Sequence, residues 1–165
     1  MRPRGRDRAV ALVAALTIMA LLLVLGAAVI RRQAEAYKSA NYARQTTKAQ
    51  ALAEAGLEDA RIKLEKDRFF PPPHAPDQLV FDYTETLTDS DGRPGGGYSV
   101  SVDLSRASDP FFIILVRSTG LVEPEKDGGA RQTLIAEFDN SPHHRDDPER
   151  ENPSLCRILR IYPGP

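Results

Sequence analysis

Cysteine is almost absent from this chain of 165 residues, in which Cys156 is the single instance. One cysteine cannot form an intramolecular disulfide, so the fold must be held by its core rather than by cross-links. An excess of charge of one sign is lacking too, because 22 basic and 23 acidic residues give a formal net charge of -1. A nucleic-acid-binding domain normally carries a basic excess, and we therefore expect no nucleic acid among the partners.

Charged side chains are missing from residues 9–30, a run of 22 residues. At about 1.5 Å per residue, a helix of that length spans roughly 33 Å and can cross the hydrocarbon layer of a bilayer. The run is longer than the apolar region of a secretory signal peptide, although residues 34–36 offer an Ala-x-Ala cleavage sequence. The run predicts a single-pass membrane anchor, and the short tail before it favours a cytoplasmic N-terminus.

Proline is absent between Pro3 and Pro71, which predicts one helix from the apolar run to about residue 67. In its extramembrane half, residues 31–68, apolar side chains recur at helical spacing at Ala49, Ala53, Leu57, Ala60 and Leu64. We predict that this stripe packs on a sheet, with the last four residues making the helix–sheet contact. The prolines within residues 69–76 then end the helix.

Beyond the prolines the apolar pattern changes to alternation with a period of two, which is typical of strands. Strands are predicted in residues 78–87, 98–105, 111–120 and 131–139, separated by turn-rich segments that include DSDGRPGGG. The predicted fold class is α+β: one long N-terminal helix, its first half transmembrane, packed on a small antiparallel sheet of three or four strands within residues 69–140.

The last segment, residues 141–165, is predicted as a polar tail that begins as a charged loop. It ends in CRILRIY, which forms either an edge strand or a mobile tail. Two histidines and two aspartates lie within residues 143–147, without a further ligand at metal-site spacing. Residues 89–92 begin like a calcium loop but lack its closing ligands, so a turn is predicted there.

Nucleophilic side chains have no base within a recognisable motif, so we expect no enzymatic activity, no cofactor and no metal. The aromatic pairs at residues 69–70 and 111–112 are assigned to packing.

Three stretches in a fixed order carry a resemblance to a known family. They are RAVALVAALTIMALLLVLGAAV, then SANYARQTTKAQALAEAGLEDAR, then YSVSV and STG with RQTLIAEF. The most specific piece is AEAGLEDA, residues 53–60. Together they resemble the PilX-type minor pilins, which are type IV pilin-related proteins; the resemblance covers residues 8–66 and extends to the sheet region in style.

The resemblance implies a basic leader, residues 1–9, that a prepilin peptidase removes after a glycine. The matching position in this chain is Ala9, which places the cut between Ala9 and Val10 and leaves residues 10–30 as the transmembrane half of the helix. A second choice is Gly5, but a cut before Arg6 would leave charged residues at the head of the apolar helix. Major pilins carry a glutamate at the fifth mature position, where this chain has Ala14; the PilX-type family shares that lack.

The implied function is that of a structural minor pilin-like subunit, which primes, joins or caps the assembly of a type IV pilus or a related pseudopilus. The implied location is the bacterial inner membrane, with the N-terminus cytoplasmic and the domain periplasmic, and then the fibre. The implied partners are the membrane, other minor and major pilin-like subunits, a prepilin peptidase, the inner-membrane assembly platform and a tip adhesin. The alternative is a single-pass, membrane-anchored extracytoplasmic binding or scaffold protein with no assembly role.

Small residues in the apolar run would allow neighbouring helices to approach closely, as membrane helices commonly do. The candidate helix assembly face consists of Ala11, Ala14, Ala15, Gly26 and Ala27. The alternative is that these are simply common residues of membrane helices.

Overall fold

The structure is a computed structural model that describes residues 4–67, 70, 78–88, 90–92, 94–122, 129–145, 147–153 and 156–165, with the backbone alone at residues 4–9 and 148. The chain divides into two units, Met1–Ala43 and Arg44–Pro165. One helix, α1, runs over Arg4–Lys66 and contributes to both units. Alanine and leucine, which are strong helix formers, dominate it, and proline is absent from it.

Seven strands follow α1, and five of them form one antiparallel sheet in the order β1-β2-β3-β4-β7. These five are β1 (Val80–Thr88), β2 (Pro94–Asp103), β3 (Ile113–Leu121), β4 (Arg131–Asp139) and β7 (Ile158–Pro163). The remaining two, β5 (His143–His144) and β6 (Asp147–Glu151), pair with each other. The predicted α+β class, with a long N-terminal helix packed on an antiparallel sheet, is confirmed.

One face of the sheet is buried and alternates with a more exposed face, as the two-residue period predicted. On β2, Tyr98, Val100 and Val102 are 8%, 0% and 0% exposed, and their neighbours across β3 continue the same face. The residues between them, Ser99 and Ser101, are only partly buried. The buried face therefore forms the sheet side of the core.

The helix side of the core is the stripe that runs along α1. Ala53, Leu57, Ala60 and Leu64 are each 2% exposed or less, and the last three belong to the same apolar cluster as the buried face of the sheet. Burial of a leucine side chain contributes roughly 1.5–3 kcal/mol, so Leu57 and Leu64 alone supply a substantial part of the helix–sheet attachment.

Two glycines allow the backbones of helix and sheet to approach closely. A Cβ atom on Gly56 of α1 would overlap Ser118 Oγ and would lie 2.9 Å from the Tyr98 ring. A Cβ atom on Gly120 of β3 would overlap the carbonyl oxygen of Ala49. Larger side chains at these positions would push the helix off the sheet.

The C-terminal part of the chain is more ordered than the sequence predicted. Residues 158–163 form β7, so of the two alternatives for CRILRIY the structure has the edge strand, and the sheet has five strands rather than three or four. The predicted charged loop contains the β5–β6 hairpin.

Two further sequence predictions were wrong in detail. The glycines at residues 95–97, predicted in a turn, lie inside β2. Phe111, assigned to packing, is 53% exposed. Of the turn predicted at residues 89–92, the structure describes residues 90–92, and the chain forms a turn there. Residues 71–76 of the predicted helix stop lie outside the described part of the chain.

Replacing Gly56 with alanine should lower the free energy of unfolding by about 1–3 kcal/mol, because the new methyl group overpacks the contact with Ser118 and Tyr98. Urea unfolding of the detergent-solubilised chain, followed by circular dichroism, measures the change. The matched control is Gly26→Ala, since a Cβ atom there meets nothing within 4 Å. Equal midpoints for the two variants would contradict the close approach.

Candidate functional site

The first unit presents an apolar helical surface with no protein covering it. From Val10 onward α1 is long and apolar enough to cross a membrane. Its large apolar side chains between Val10 and Ile30 are 54–71% exposed. At about 25 cal/mol per Å² of apolar surface, such exposure to water is strongly unfavourable, and the segment is compatible with a single-pass membrane anchor.

The candidate assembly face lies within this surface. Ala11, Ala14, Ala15, Gly26 and Ala27 are all exposed positions of α1. With 3.6 residues per turn, the first four share one side of the helix, whereas Ala27 lies about 100° around from Gly26. Small side chains on one side leave room for the backbone of a neighbouring helix, so these four are the better-placed part of the candidate face.

The candidate processing positions lie at the start of α1. Val10 is 65% exposed, and Gly5, Arg6 and Ala9 precede it within the helical backbone. Cleavage after Ala9 and cleavage after Gly5 both stay predictions.

A polar cluster in the second unit ties α1 to strand β1. Lys63 Nζ lies 2.7 Å from Asp59 Oδ2 on the same helix and 3.2 Å from Glu85 Oε1 on β1. Tyr83 of β1 donates its hydroxyl proton to Asp59 Oδ2 at 3.0 Å, and Lys63 Nζ sits 4.1 Å from the Tyr83 ring centroid. The half-buried Phe70 packs edge-on against Tyr83, with ring centroids 5.5 Å apart. The cluster fixes where the edge strand meets the helix.

Burial and the neighbouring carboxylate change the titration of this cluster. Burial, and then the hydrogen bond to Asp59, raise the pKa of Tyr83 well above its usual value. Burial also raises the pKa of Tyr98. Burial alone would lower the pKa of Lys63, but its bonds to Asp59 and Glu85 outweigh that and raise it. All three groups hold their protons more tightly in the folded chain.

A second polar cluster centres on the buried carboxylate of Asp139 at the end of β4. Its Oδ1 accepts bonds from the Ser141 amide at 3.1 Å and from Arg145 Nε at 3.0 Å, and its Oδ2 accepts from Asn152 at 3.4 Å. Arg145 also donates Nη2 protons to the carbonyl oxygens of Phe111 and Phe112. The Asp139 carboxylate therefore fastens the β5–β6 hairpin to the end of β4, and the Arg145 guanidinium links the hairpin to the loop before β3.

The sequence carried no signal for this second cluster. Asp139 is the last residue of the predicted strand at residues 131–139, and Arg145 lies in a charged segment. Their pairing depends on the hairpin folding back beside the sheet, which no local pattern indicates.

The residue types considered for chemistry lie at several places in the second unit. In the described ranges, no three side chains from His, Cys, Asp and Glu come together in a way that could hold a metal ion. Ser118 is fully buried beneath Gly56, and Cys156 is buried at 1% exposure. His143 is exposed and His144 is half-buried, both on β5.

The chain matched nothing when it was compared with protein-family models, with curated protein sequences and with solved structures. Any functional conclusion must rest on the residues and surfaces of the chain itself.

When Tyr83 is replaced with phenylalanine, the free energy of unfolding should decrease less steeply as the pH rises into the alkaline range. An unfolded tyrosine titrates near pH 10, whereas folded Tyr83 titrates higher, so its contribution is fully present below about pH 10 and is lost as the pH rises beyond it. Urea unfolding between pH 8 and pH 11 should therefore show a shallower decline than in the original chain. The control is Tyr37→Phe at a 76% exposed position; parallel declines in all three chains would contradict the coupling.

Replacing Asp139 with asparagine should destabilise the hairpin by about 1–3 kcal/mol, because Arg145 loses its charged partner. Hydrogen exchange of amides in residues 141–152 should accelerate, while exchange in β2 stays slow. Glu149→Gln, at an exposed position of the same hairpin, serves as the control. Unchanged protection in the Asp139 variant would show that the carboxylate does not hold the hairpin.

Proposed function

We propose that this chain is a structural minor pilin-like subunit, which primes, joins or caps the assembly of a type IV pilus or a related pseudopilus. The observation that carries the proposal is the pairing of an uncovered apolar helical segment, residues 10–30, with a second unit in which the same helix packs on an antiparallel sheet. The resemblance of residues 8–66 to PilX-type minor pilins gives the same assignment.

The mechanism is physical. The apolar segment holds the subunit in the inner membrane, with its N-terminus in the cytoplasm and its sheet unit in the periplasm. A segment whose large side chains are more than half exposed leaves lipid at low cost only if other apolar helices replace the lipid. Assembly therefore exchanges lipid contacts for helix contacts, with Ala11, Ala14 and Ala15 on the side where helices approach.

The alanine at position 14 is consistent with the role of a minor subunit rather than a major one. A glutamate at that depth could neutralise the amino terminus of a neighbouring subunit in the fibre interior, whereas alanine cannot. A subunit without that charge suits a position at the start or end of a fibre better than a repeating one. Its partners would be other pilin-like subunits, the prepilin peptidase, the assembly platform and, at a fibre tip, an adhesin.

Leader processing tests this proposal directly. Intact mass and N-terminal sequencing of the membrane-extracted chain, expressed with and without a prepilin peptidase, should show a start at Val10 that depends on the peptidase. Ala9→Gly should increase the processed fraction, since the family's peptidase cuts after glycine, and Gly5→Val should leave it unchanged.

A start at Arg6 would keep the class and move the cleavage position. An intact Met1 under both conditions would favour the plain membrane anchor, and a start at Tyr37 would indicate a released domain.

A further inference from the structure

The five-stranded sheet has two open edges. Strands β1 and β7 lie at its ends, and no described strand pairs with the outer side of either. An open edge offers unpaired backbone N–H and C=O groups to another strand. Apolar side chains are exposed at both edges, with Ile161 of β7 at 51%, and Val80 and Leu87 of β1 at 46% and 43%. Both edges are therefore chemically suited to strand addition.

The two edges carry opposite charges on the same face of the sheet. Arg160 of β7 pairs in register with Glu137, and Asp82 of β1 pairs with Ser101, and all four lie on the face away from α1. Both Arg160 and Asp82 are exposed. Neither forms an ion pair with any residue that the structure describes. Arg160 and Glu137 lie opposite each other in register but do not form an ion pair.

Two copies can pair through these edges in three combinations: β7 with β7, β1 with β1, or β7 with β1. The charge pattern favours the third. Antiparallel pairing of two β7 edges would bring their Arg160 side chains onto one face, and antiparallel pairing of two β1 edges would do the same for Asp82; like charges across strands are destabilising. A β7 edge against a β1 edge places opposite charges on one face. The complementarity therefore favours pairing between different edges of two copies.

Strand direction leads to the same pairing. Every neighbouring pair in the sheet is antiparallel, so β1, β3 and β7 run in the same direction. A β1 strand added beside β7 in parallel keeps both helices on one face and both Arg44 ends, where the chain enters this unit, at the same end. An antiparallel β7–β7 pairing would place the Arg44 ends at opposite ends, and a parallel β7–β7 pairing would place the two helices on opposite faces of the joined sheet.

We infer that two copies of this chain associate side by side, with β7 of one adding in parallel to β1 of the other. Arg160 faces the Asp82 side of its neighbour, and the neighbour covers Ile161. The paired segment is short, because an extra residue at Leu159 interrupts the register and Pro163 lacks an amide proton. Each pairing leaves one β1 and one β7 edge free, so the contact can repeat in one direction. The inference rests on the proposed function only in placing the copies in one membrane.

Cross-linking in membranes tests the geometry. One tagged copy carries Tyr162→Cys on β7 and a differently tagged copy carries Thr84→Cys on β1, both on the face of Arg160 and Asp82. A short bis-maleimide should give a product with both tags, in several-fold excess over either variant linked to itself. The matched control replaces Tyr162→Cys with Arg117→Cys, an exposed position on the same face of the central strand β3; it should give no product with Thr84→Cys. The unsubstituted chain controls for the buried Cys156.

A charge exchange tests the chemistry in the same cysteine pair. Arg160→Glu in the β7 copy, or Asp82→Lys in the β1 copy, should each reduce the mixed product by about fivefold, the upper range for an exposed ion pair. Both changes together should restore it, which a folding defect in either variant would not do. Thermal unfolding of each variant confirms that the sheet is intact.

The outcomes separate this inference from the proposed function. Products formed only between identical positions, no mixed product, or no recovery in the exchanged pair would overturn the side-by-side pairing. Leader processing at Val10 without the mixed product would keep the subunit assignment and reject this contact. A mixed product from a chain that is never processed would keep the contact and reject the pilin-like assignment.

Discussion

The close contact between α1 and the sheet is the constraint on which the rest of the folded unit depends. Small residues along one side of the helix, Ala49, Ala53, Gly56 and Ala60, bring its backbone onto strands β2 and β3, where Gly120 and Ser118 leave room for it. Ser118 Oγ is buried without a hydrogen bond to any described residue, which carries a free-energy penalty of about 1–3 kcal/mol. The surrounding apolar burial offsets that penalty, and the central strands are thereby fixed relative to the helix.

Once the centre of the sheet is fixed, its two sides are secured by polar contacts of different kinds. The first side uses Lys63 and Asp59 of α1 to hold Tyr83 of β1, so the edge strand is fastened to the helix. The opposite side, at β4 and β7, shares the apolar cluster of the helix stripe through Phe138 and Ile158, and the buried carboxylate of Asp139 adds polar contacts to Arg145 and Asn152. Each cluster also rigidifies the strand that borders an open edge, which keeps both edges in an ordered conformation.

The sequence allowed the helix, the buried stripe and four strands to be predicted, because each follows a local periodicity. β4 was predicted with the observed bounds, since its alternating pattern begins and ends sharply at residues 131 and 139. The fifth strand was one of two alternatives for CRILRIY, since an edge strand and a mobile tail share that pattern. The β5–β6 hairpin could not be predicted, because its place beside the sheet involves the contact between Asp139 and Arg145, which no spacing rule indicates. The assembly surfaces were only partly predictable: the apolar run is visible in the sequence, whereas the matched charges of Arg160 and Asp82 emerge only once the strand order is known.

Each unit has a surface that no described residue covers, and each surface needs a different environment. In the first unit, apolar side chains between residues 10 and 30 need a nonpolar environment, and lipid supplies it for a single copy. In the second unit, backbone groups along β1 and β7 already find hydrogen-bond partners in water, so a single copy is stable with its edges open. Apolar helices can associate within a bilayer, whereas edge pairing requires only that two copies meet. Since helix contacts and edge pairing use separate surfaces, the proposed edge pairing can form without any contact between the apolar helical segments.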